Sequence, residues 1–202
     1  MLKKKLSQLK QSERDARRKL ILDSACSLFS KKDFRKINVR EIATEAGVSV
    51  GTIYNYYADL DELFLDVFLK NAEEISRLLE KENSDGGLTL EKLCEVYIAY
   101  LNRNMRFYQM MGHFMLGGKL SEEATAKLNQ MMRALMDSIE DILKAEGGHG
   151  NTRSLSHALF SALNGIMISY SGYPGRDSEK VDIYTRKLGR IVADVFRDRL
   201  KG

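Results

Sequence analysis

The sequence predicts an all-α fold, a small head of short helices joined by a long helix to a larger helical domain. Three observations predict it. Only one proline, Pro174, stands among 202 residues, and proline is the strongest helix breaker. Apolar residues recur at three-to-four spacing along most of the chain, with no run of strict alternation. The composition, 44% hydrophobic and 30% charged, fits a globular chain with a sizeable core.

The elements follow in order. Ile21, Ala25, Leu28 and Phe29, with Leu22 and Cys26 beside them, make a wide apolar stripe and predict a helix over Ser12–Ser30. A polar turn, Lys31–Asp33, lets Phe34 fold back on that stripe. Asn38 and Glu41 have the spacing of a capping box, which opens a helix over Val39–Ala46 with Ile42, Ala43 and Ala46 inward. Gly47 suits the left-handed turn that ends a helix. Ser49 caps a third short helix, from Val50 to about Tyr56, anchored by Ile53. Asp59 and Glu62 repeat the capping pattern, and Leu63, Phe64, Val67, Phe68, Ile75, Leu78 and Leu79 carry a fourth helix to about residue 81. A loop is predicted over Asn83–Gly87. Further helices are predicted over Thr89–Met111, Phe114–Gly118, Glu122–Glu146, Thr152–Tyr170 and Asp177–Leu200. Gly147, Gly148 and Gly150 mark one break between them, and Gly172, Pro174 and Gly175 another. The domain boundary is placed at residue 60, with residues 1–60 as N-terminal arm and head and residues 61–202 as the helical domain.

Charge is unevenly spread. Residues 1–60 hold 13 Lys/Arg against 7 Asp/Glu, and the remainder holds 19 against 21. A basic N-terminal part on a slightly acidic body points to a polyanionic partner. The leading segment has charges but no apolar h-region, so it is not a signal peptide. No residue between Arg153 and Arg176 is charged, yet Ser154, Ser156, His157, Ser161, Asn164, Ser169 and Ser171 interrupt that span, so a helix in a protein interface is expected and no membrane partner. Cys26 and Cys94 have no metal-ligand spacing and fit a reducing, cytoplasmic setting. Nucleotide-binding, hydrolase and zinc-hydrolase motifs are missing from the sequence, so no enzyme, no metal and no cofactor is expected.

Two short helices joined by a glycine turn form a helix-turn-helix pattern, whose second helix fits the DNA major groove. With Ile53 and Tyr57 inward, Ser49, Val50, Thr52, Tyr54, Asn55 and Tyr56 are left to reach phosphates or base edges.

The run ILDSACSLFSKKDFRKINVREIATEAGVSVGTIYNYYADLDEL resembles the DNA-binding head of the TetR family of bacterial transcriptional regulators. The resemblance rests on the I-L-x-x-A-x-x-L-F opening, the V-R-E-I-A-x-x-A-G-V-S block and G-T-I-Y-x-Y-Y. It implies a three-helix helix-turn-helix DNA-binding head joined by a long helix to a helical ligand-binding and dimerisation domain. It also implies that Arg40 and Thr44 reach base or backbone, that Thr52, Tyr54 and Tyr56 contact phosphates, and that Val50 and Asn55 face bases. The family commonly carries Lys at Val50 and Leu60 and Gly at Asp33. The cations absent here are expected to be made up in part by the leading arm, with Lys3, Lys4, Lys5 and Lys10.

In the second domain Ala158, Ala162 and Gly165 share one helix face, and Val181, Tyr184, Leu188, Ile191 and Val195 recur at helical spacing on the last helix. These two helices are expected to pair with their symmetry mates in a homodimer, as the resemblance also implies. A pocket is expected around Tyr100, Met105, Tyr108, Met111, His113, Met115, Met132, Met136 and Asn164, flexible and aromatic side chains with a few polar handles. The same Met stripe also reads as ordinary core. The function expected is a ligand-responsive transcriptional regulator, with repression as its expected mode. It binds a near-palindromic double-stranded DNA operator and is released by a small apolar or amphipathic inducer. The rival is a helical dimeric protein-interaction module without DNA binding.

Overall fold

The structure, a computed structural model, describes residues 2–117, 120–170, 175 and 177–201. Among these the chain is helical throughout its regular structure: α1 (Leu2–Lys31), a 3-10 turn (Phe34–Lys36), α2 (Val39–Ala46), α3 (Val50–Tyr54), α4 (Leu60–Gly86), α5 (Leu90–Arg103), α6 (Met105–Met115), α7 (Glu122–Ala145), α8 (Thr152–Tyr170) and α9 (Ser178–Lys201). None of these helices is long and apolar enough to cross a membrane. The chain divides into two compact units, residues 1–70 with 109–125, and residues 71–108 with 126–202. Helices α4, α6 and α7 each supply residues to both.

The first unit is built on the predicted stripe of α1. Ile21, Ala25 and Phe29 are buried, and Phe29 and Phe34 both meet the ring of Phe64 edge-on, at 4.9 and 5.7 Å between centroids. Such pairs add about 0.5–1.5 kcal/mol beyond the area they bury. Two ion pairs tie α1 to the start of α4, Arg18 to Asp66 at 2.7 Å and Lys70 to Asp23 at 2.6 Å.

α1 begins ten residues earlier than the apolar pattern predicts, at Leu2 instead of Ser12. Residues 4–20 are all exposed, so burial does not hold this stretch. It is rich in Lys, Arg, Gln and Leu, good helix formers, and is laced by Gln11 to Asp15 at 2.9 Å and Arg17 to Glu13 at 2.8 Å, each four residues apart.

The second unit is organised by α5 against α9. A Cβ at Gly189 would lie 2.6 Å from Ile98 Cδ1, so the glycine lets the two helices approach closely. Buried Thr185 donates to Val181 O and accepts from Asn102 Nδ2, both at 2.8 Å, and Asn102 Nδ2 also reaches Asp182 at 2.8 Å.

Three predicted boundaries are corrected. The fourth helix continues to Gly86 and consumes most of the predicted loop Asn83–Gly87. The turn comes only where Asn83 O accepts from Gly87 N and Asn83 Oδ1 from Leu88 N, at 3.0 and 3.1 Å. The predicted helix over Thr89–Met111 is two helices. Asn104 leaves helical geometry (φ −117°, ψ 49°), and its backbone N and its Nδ2 both donate to Tyr100 O, at 2.9 and 3.0 Å, where the helix ends. Phe114 therefore belongs to the end of α6 rather than opening a helix of its own. Gly118, Gly172 and Pro174 lie outside the described residues.

Candidate nucleic-acid interface and ligand core

α2 starts on the predicted capping box: Asn38 Oδ1 accepts from Arg40 N and Glu41 N at 3.0 and 3.1 Å, and Glu41 Oε2 accepts from Asn38 N at 3.1 Å. Lys32 also binds the Glu41 carboxylate, and these donors hold it below the usual carboxylate range. Ile42, Ala43 and Ala46 are buried. Gly47 stands at φ 64° and ψ 32°, the left-handed conformation in which a side chain is strained. Val48 N then returns to Ala43 O at 3.0 Å, turning the chain toward α3.

α3 has five residues, too few to be stable alone. Ser49 Oγ accepts from Thr52 N at 3.0 Å and shares a 2.9 Å hydrogen bond with Thr52 Oγ1. Ile53 is 1% exposed and Tyr57 2%, so α3 is held from below. The phenol of Tyr57 is pushed up to about 12 by burial. α3 ends at Tyr54, and Tyr56 follows the cap residue Asn55 instead of lying within the helix.

This arrangement leaves the expected contact residues accessible. Arg40, Thr44, Ser49, Tyr54 and Asn55 are exposed, Tyr54 by 50%, while Val50, Thr52 and Tyr56 are half-buried. The Thr44 hydroxyl donates to Arg40 O at 2.9 Å, so it has no proton for a phosphate oxygen until it turns. Asp33, where the resemblance leads one to expect glycine, caps the 3-10 turn. Its Oδ1 accepts from Arg35 N at 3.0 Å and its Oδ2 from Arg35 Nη2 at 2.7 Å, and Arg35 draws the carboxyl down to about 2. One neighbour of this surface escapes a reading of the sequence: the Arg14 guanidinium lies 5.8 Å from the ring centroid of Tyr56. Its only sequence trace is its place in the basic N-terminal run.

The expected pocket residues fall into two groups. Met111, His113 and Met115 belong to the first unit. There His113 packs against Phe34 and Phe114 at 5.3 and 5.2 Å and stands 3.8 Å from Asp61 Oδ1, a buttress of the head. Met115, at the end of α6, is 49% exposed. Tyr100, Met105, Tyr108, Met132, Met136 and Asn164 belong to the second unit, where Tyr100, Tyr108 and Met136 are buried.

A polar cluster joins some of these. Asn164 Nδ2 donates to Phe160 O at 2.8 Å and to Tyr97 Oη at 3.3 Å, and Tyr108 Oη donates to Asn164 O at 3.0 Å. Tyr100 Oη donates to Asn71 O at 2.9 Å and reaches Glu74 Oε2 at 3.2 Å. Burial raises all three phenols, Tyr108 to about 12. Tyr97 stands out from sequence only as an aromatic wall, because its partner lies 67 residues away.

On α8, Ala158, Gly165 and Ile168 are exposed and Ala162 is half-buried; on α9, Tyr184, Ile191 and Val195 are exposed. Val181, expected on the same outward face, is buried within its own unit, and Leu188 is half-buried.

Residues 21–67 match the family described as bacterial regulatory proteins, tetR family. The chain is 38% identical over 93 residues to the HTH-type transcriptional regulator HbdR of Aromatoleum sp. (strain CIB), a match covering 43% of this chain and 38% of that one. It is 22% identical over 124 residues to the fatty acid metabolism regulator protein of Bacillus subtilis (strain 168), covering 61% of this chain and 64% of the relative. The curated relatives it matches are thus spanned over 38% to 64% of their length. A transcriptional regulator from Rhodococcus sp. Rha1 has the same fold, with a TM-score of 0.70 at 16% identity over 89% of this chain and 95% of that one.

Proposed function

We propose that the chain is a member of the tetR family of bacterial regulatory proteins, which its residues 21–67 match, and that it is a ligand-responsive transcriptional repressor. It binds a near-palindromic operator as a homodimer and is released by a small apolar or amphipathic inducer. One observation carries the DNA half of this reading: Tyr54 and Asn55 stand in solvent on a rod whose underside, Ile53 and Tyr57, is locked into the head. Arg40 and Thr44 stay accessible on α2, and the hydroxyls and amide of this surface suit phosphates and base edges. At the start of α2 the Asn38 side chain already accepts from Arg40 N and Glu41 N, so exposed side chains are the assigned contacts there.

The dimer is assigned to the exposed faces of α8 and α9. Small residues Ala158 and Gly165 let a partner helix approach, and Ile168, Tyr184, Ile191 and Val195 offer apolar surface around them. Twofold pairing would present two α3 rods at about 34–36 Å, one turn of duplex. For the inducer, the second unit offers Tyr97, Tyr108 and Asn164 as polar handles and Met105, Met132 and Met136 as adaptable apolar lining. The relative named for fatty acid metabolism supports an amphipathic ligand. A ligand that favours one head spacing weakens DNA binding through linkage, and a coupling of about 1–3 kcal/mol would change operator affinity about 5- to 150-fold.

The test is selection of bound duplexes by the purified protein from a random-sequence pool. The expected product is an inverted repeat whose half-sites lie one helical turn apart, bound with an affinity that falls steeply with salt. Recovery of no enriched sequence, with affinity insensitive to salt, overturns the reading in favour of a protein-interaction module.

A further inference from the structure

We propose that the exposed N-terminal half of α1 is a second DNA-contacting element, a basic helical face that lies on phosphates flanking the half-site. This rests on the DNA-binding reading above and adds a surface to it.

The observation is the place of Arg14. Its guanidinium sits 5.8 Å from the ring centroid of Tyr56, which follows Tyr54 and Asn55 in the chain, so α1 brings a cation beside the segment assigned to DNA contact. Among the described residues Arg14 and Lys10 make no ion pair and no hydrogen bond. At 3.6 residues per turn Lys10 lies about 40° from Arg14 around the helix and about 6 Å along it, so both point to one side. The acids of this stretch are engaged elsewhere: Arg17 holds Glu13 at 2.8 Å and Gln11 holds Asp15 at 2.9 Å, both about 100° from Arg14. Glu13, about 60° from Lys10, is paired with Arg17, so the face of Lys10 and Arg14 keeps a net positive charge.

Charge complementarity selects the occupant. Duplex DNA carries one phosphate charge per about 1.7 Å of axis, and a helix continuing out of the head beside Tyr56 runs onto the backbone next to the bases α3 reads. The same face supplies the cations that Val50 and Leu60 do not. A self-paired helix is disfavoured, because Lys5, Lys10, Arg17 and Lys19 would flank the seam of exposed Leu6, Leu9 and Leu20 and repel their copies. Leu6 and Leu9, 55% and 67% exposed, would favour an anionic membrane surface instead, and the test separates that outcome.

The probe is the duplex selected by the unaltered protein, with affinity measured by fluorescence anisotropy across a salt series. Lys10→Gln/Arg14→Gln removes two charges from the face. Lys5→Gln/Lys19→Gln removes two from positions about 140–180° away on the same helix. The first variant should flatten the slope of log K against log salt by about 0.9 for each phosphate it no longer neutralises, and the second should leave it near that of the unaltered protein. Lys10→Gln alone, which touches no head residue, should show part of the same flattening. Equal slopes for the two double variants overturn the proposal while leaving the DNA reading intact. Loss of binding to phosphatidylserine–phosphatidylcholine vesicles by the first variant, with its duplex slope unchanged, overturns it in favour of a membrane-binding face. Failure of the unaltered protein to select any duplex removes the reading beneath it.

Discussion

The polar groups of the head and those of the second unit are arranged in opposite ways. On α2 and α3 they point outward: Arg40, Ser49, Tyr54 and Asn55 are exposed, and what is buried beneath them is apolar. In the second unit they point inward and satisfy one another, with Tyr97, Tyr108 and Asn164 closed into one cluster and Asn102, Asp182 and Thr185 into another. The first arrangement keeps donors and acceptors free for a large rigid partner. A ligand reaching the second arrangement would exchange its own hydrogen bonds for those it displaces.

The comparison is broken most forcefully at Ile53. Ile53→Ala leaves every outward group of α3 in place and removes only its anchor, at an expected cost of about 2–5 kcal/mol. A lower unfolding midpoint for the head and loss of operator binding in gel-shift titrations are expected. Operator affinity within twofold of the unaltered protein would mean that α3 is not held through this side chain.

Asn164→Ala probes the inward cluster. It removes the side-chain amide that bonds Tyr97 Oη and Phe160 O, at an expected cost of about 1–3 kcal/mol, while the backbone carbonyl that accepts from Tyr108 remains. Adding Tyr97→Phe removes the other polar group of this bond and should restore part of the stability. Operator binding without ligand should change little in either variant. Additive destabilisation in the double variant would show that the two side chains are not coupled.

Gly47→Ala sharpens the account of the turn. A Cβ there meets nothing within 4 Å, so crowding contributes nothing and only the left-handed backbone is strained, by about 1–2 kcal/mol. Thermal unfolding should report that destabilisation, and an unchanged midpoint would mean the turn adopts another conformation in solution.

The same contrast explains what can be read from the sequence. The head is legible because its determinants are local. Asn38 with Glu41, Gly47 and Ser49 are at most three residues apart or single positions, and all take the predicted places. The exposed start of α1 escapes because periodicity reports burial, and a helix kept by propensity and pairs four apart has none to report. In the second unit a predicted boundary fails at Asn104, where a helix ends without proline or glycine. Tyr97 and Thr185 act through partners 67 and 83 residues away, a separation that no local pattern encodes. The sequence neighbours of His113 group it with the pocket residues, yet it packs on Phe34 in the head.

The smallest effect on stability is expected at the residue that matters most to the outward arrangement. Tyr54→Phe deletes one hydroxyl from a half-exposed ring at the end of α3 and should leave the unfolding midpoint within the range of a neutral surface change, about 0.5 kcal/mol. If the hydroxyl donates to a phosphate, its deletion removes a hydrogen bond to a charged acceptor, worth about 1.5–3 kcal/mol, or about 10- to 150-fold in operator affinity. The weakening should be the same for every operator sequence, because a phosphate interaction carries no base information. A variant that binds all sequences as tightly as the unaltered protein would show that the ring packs against the duplex without its hydroxyl. A weakening confined to operators altered at one base pair would reassign Tyr54 from the backbone to a base edge.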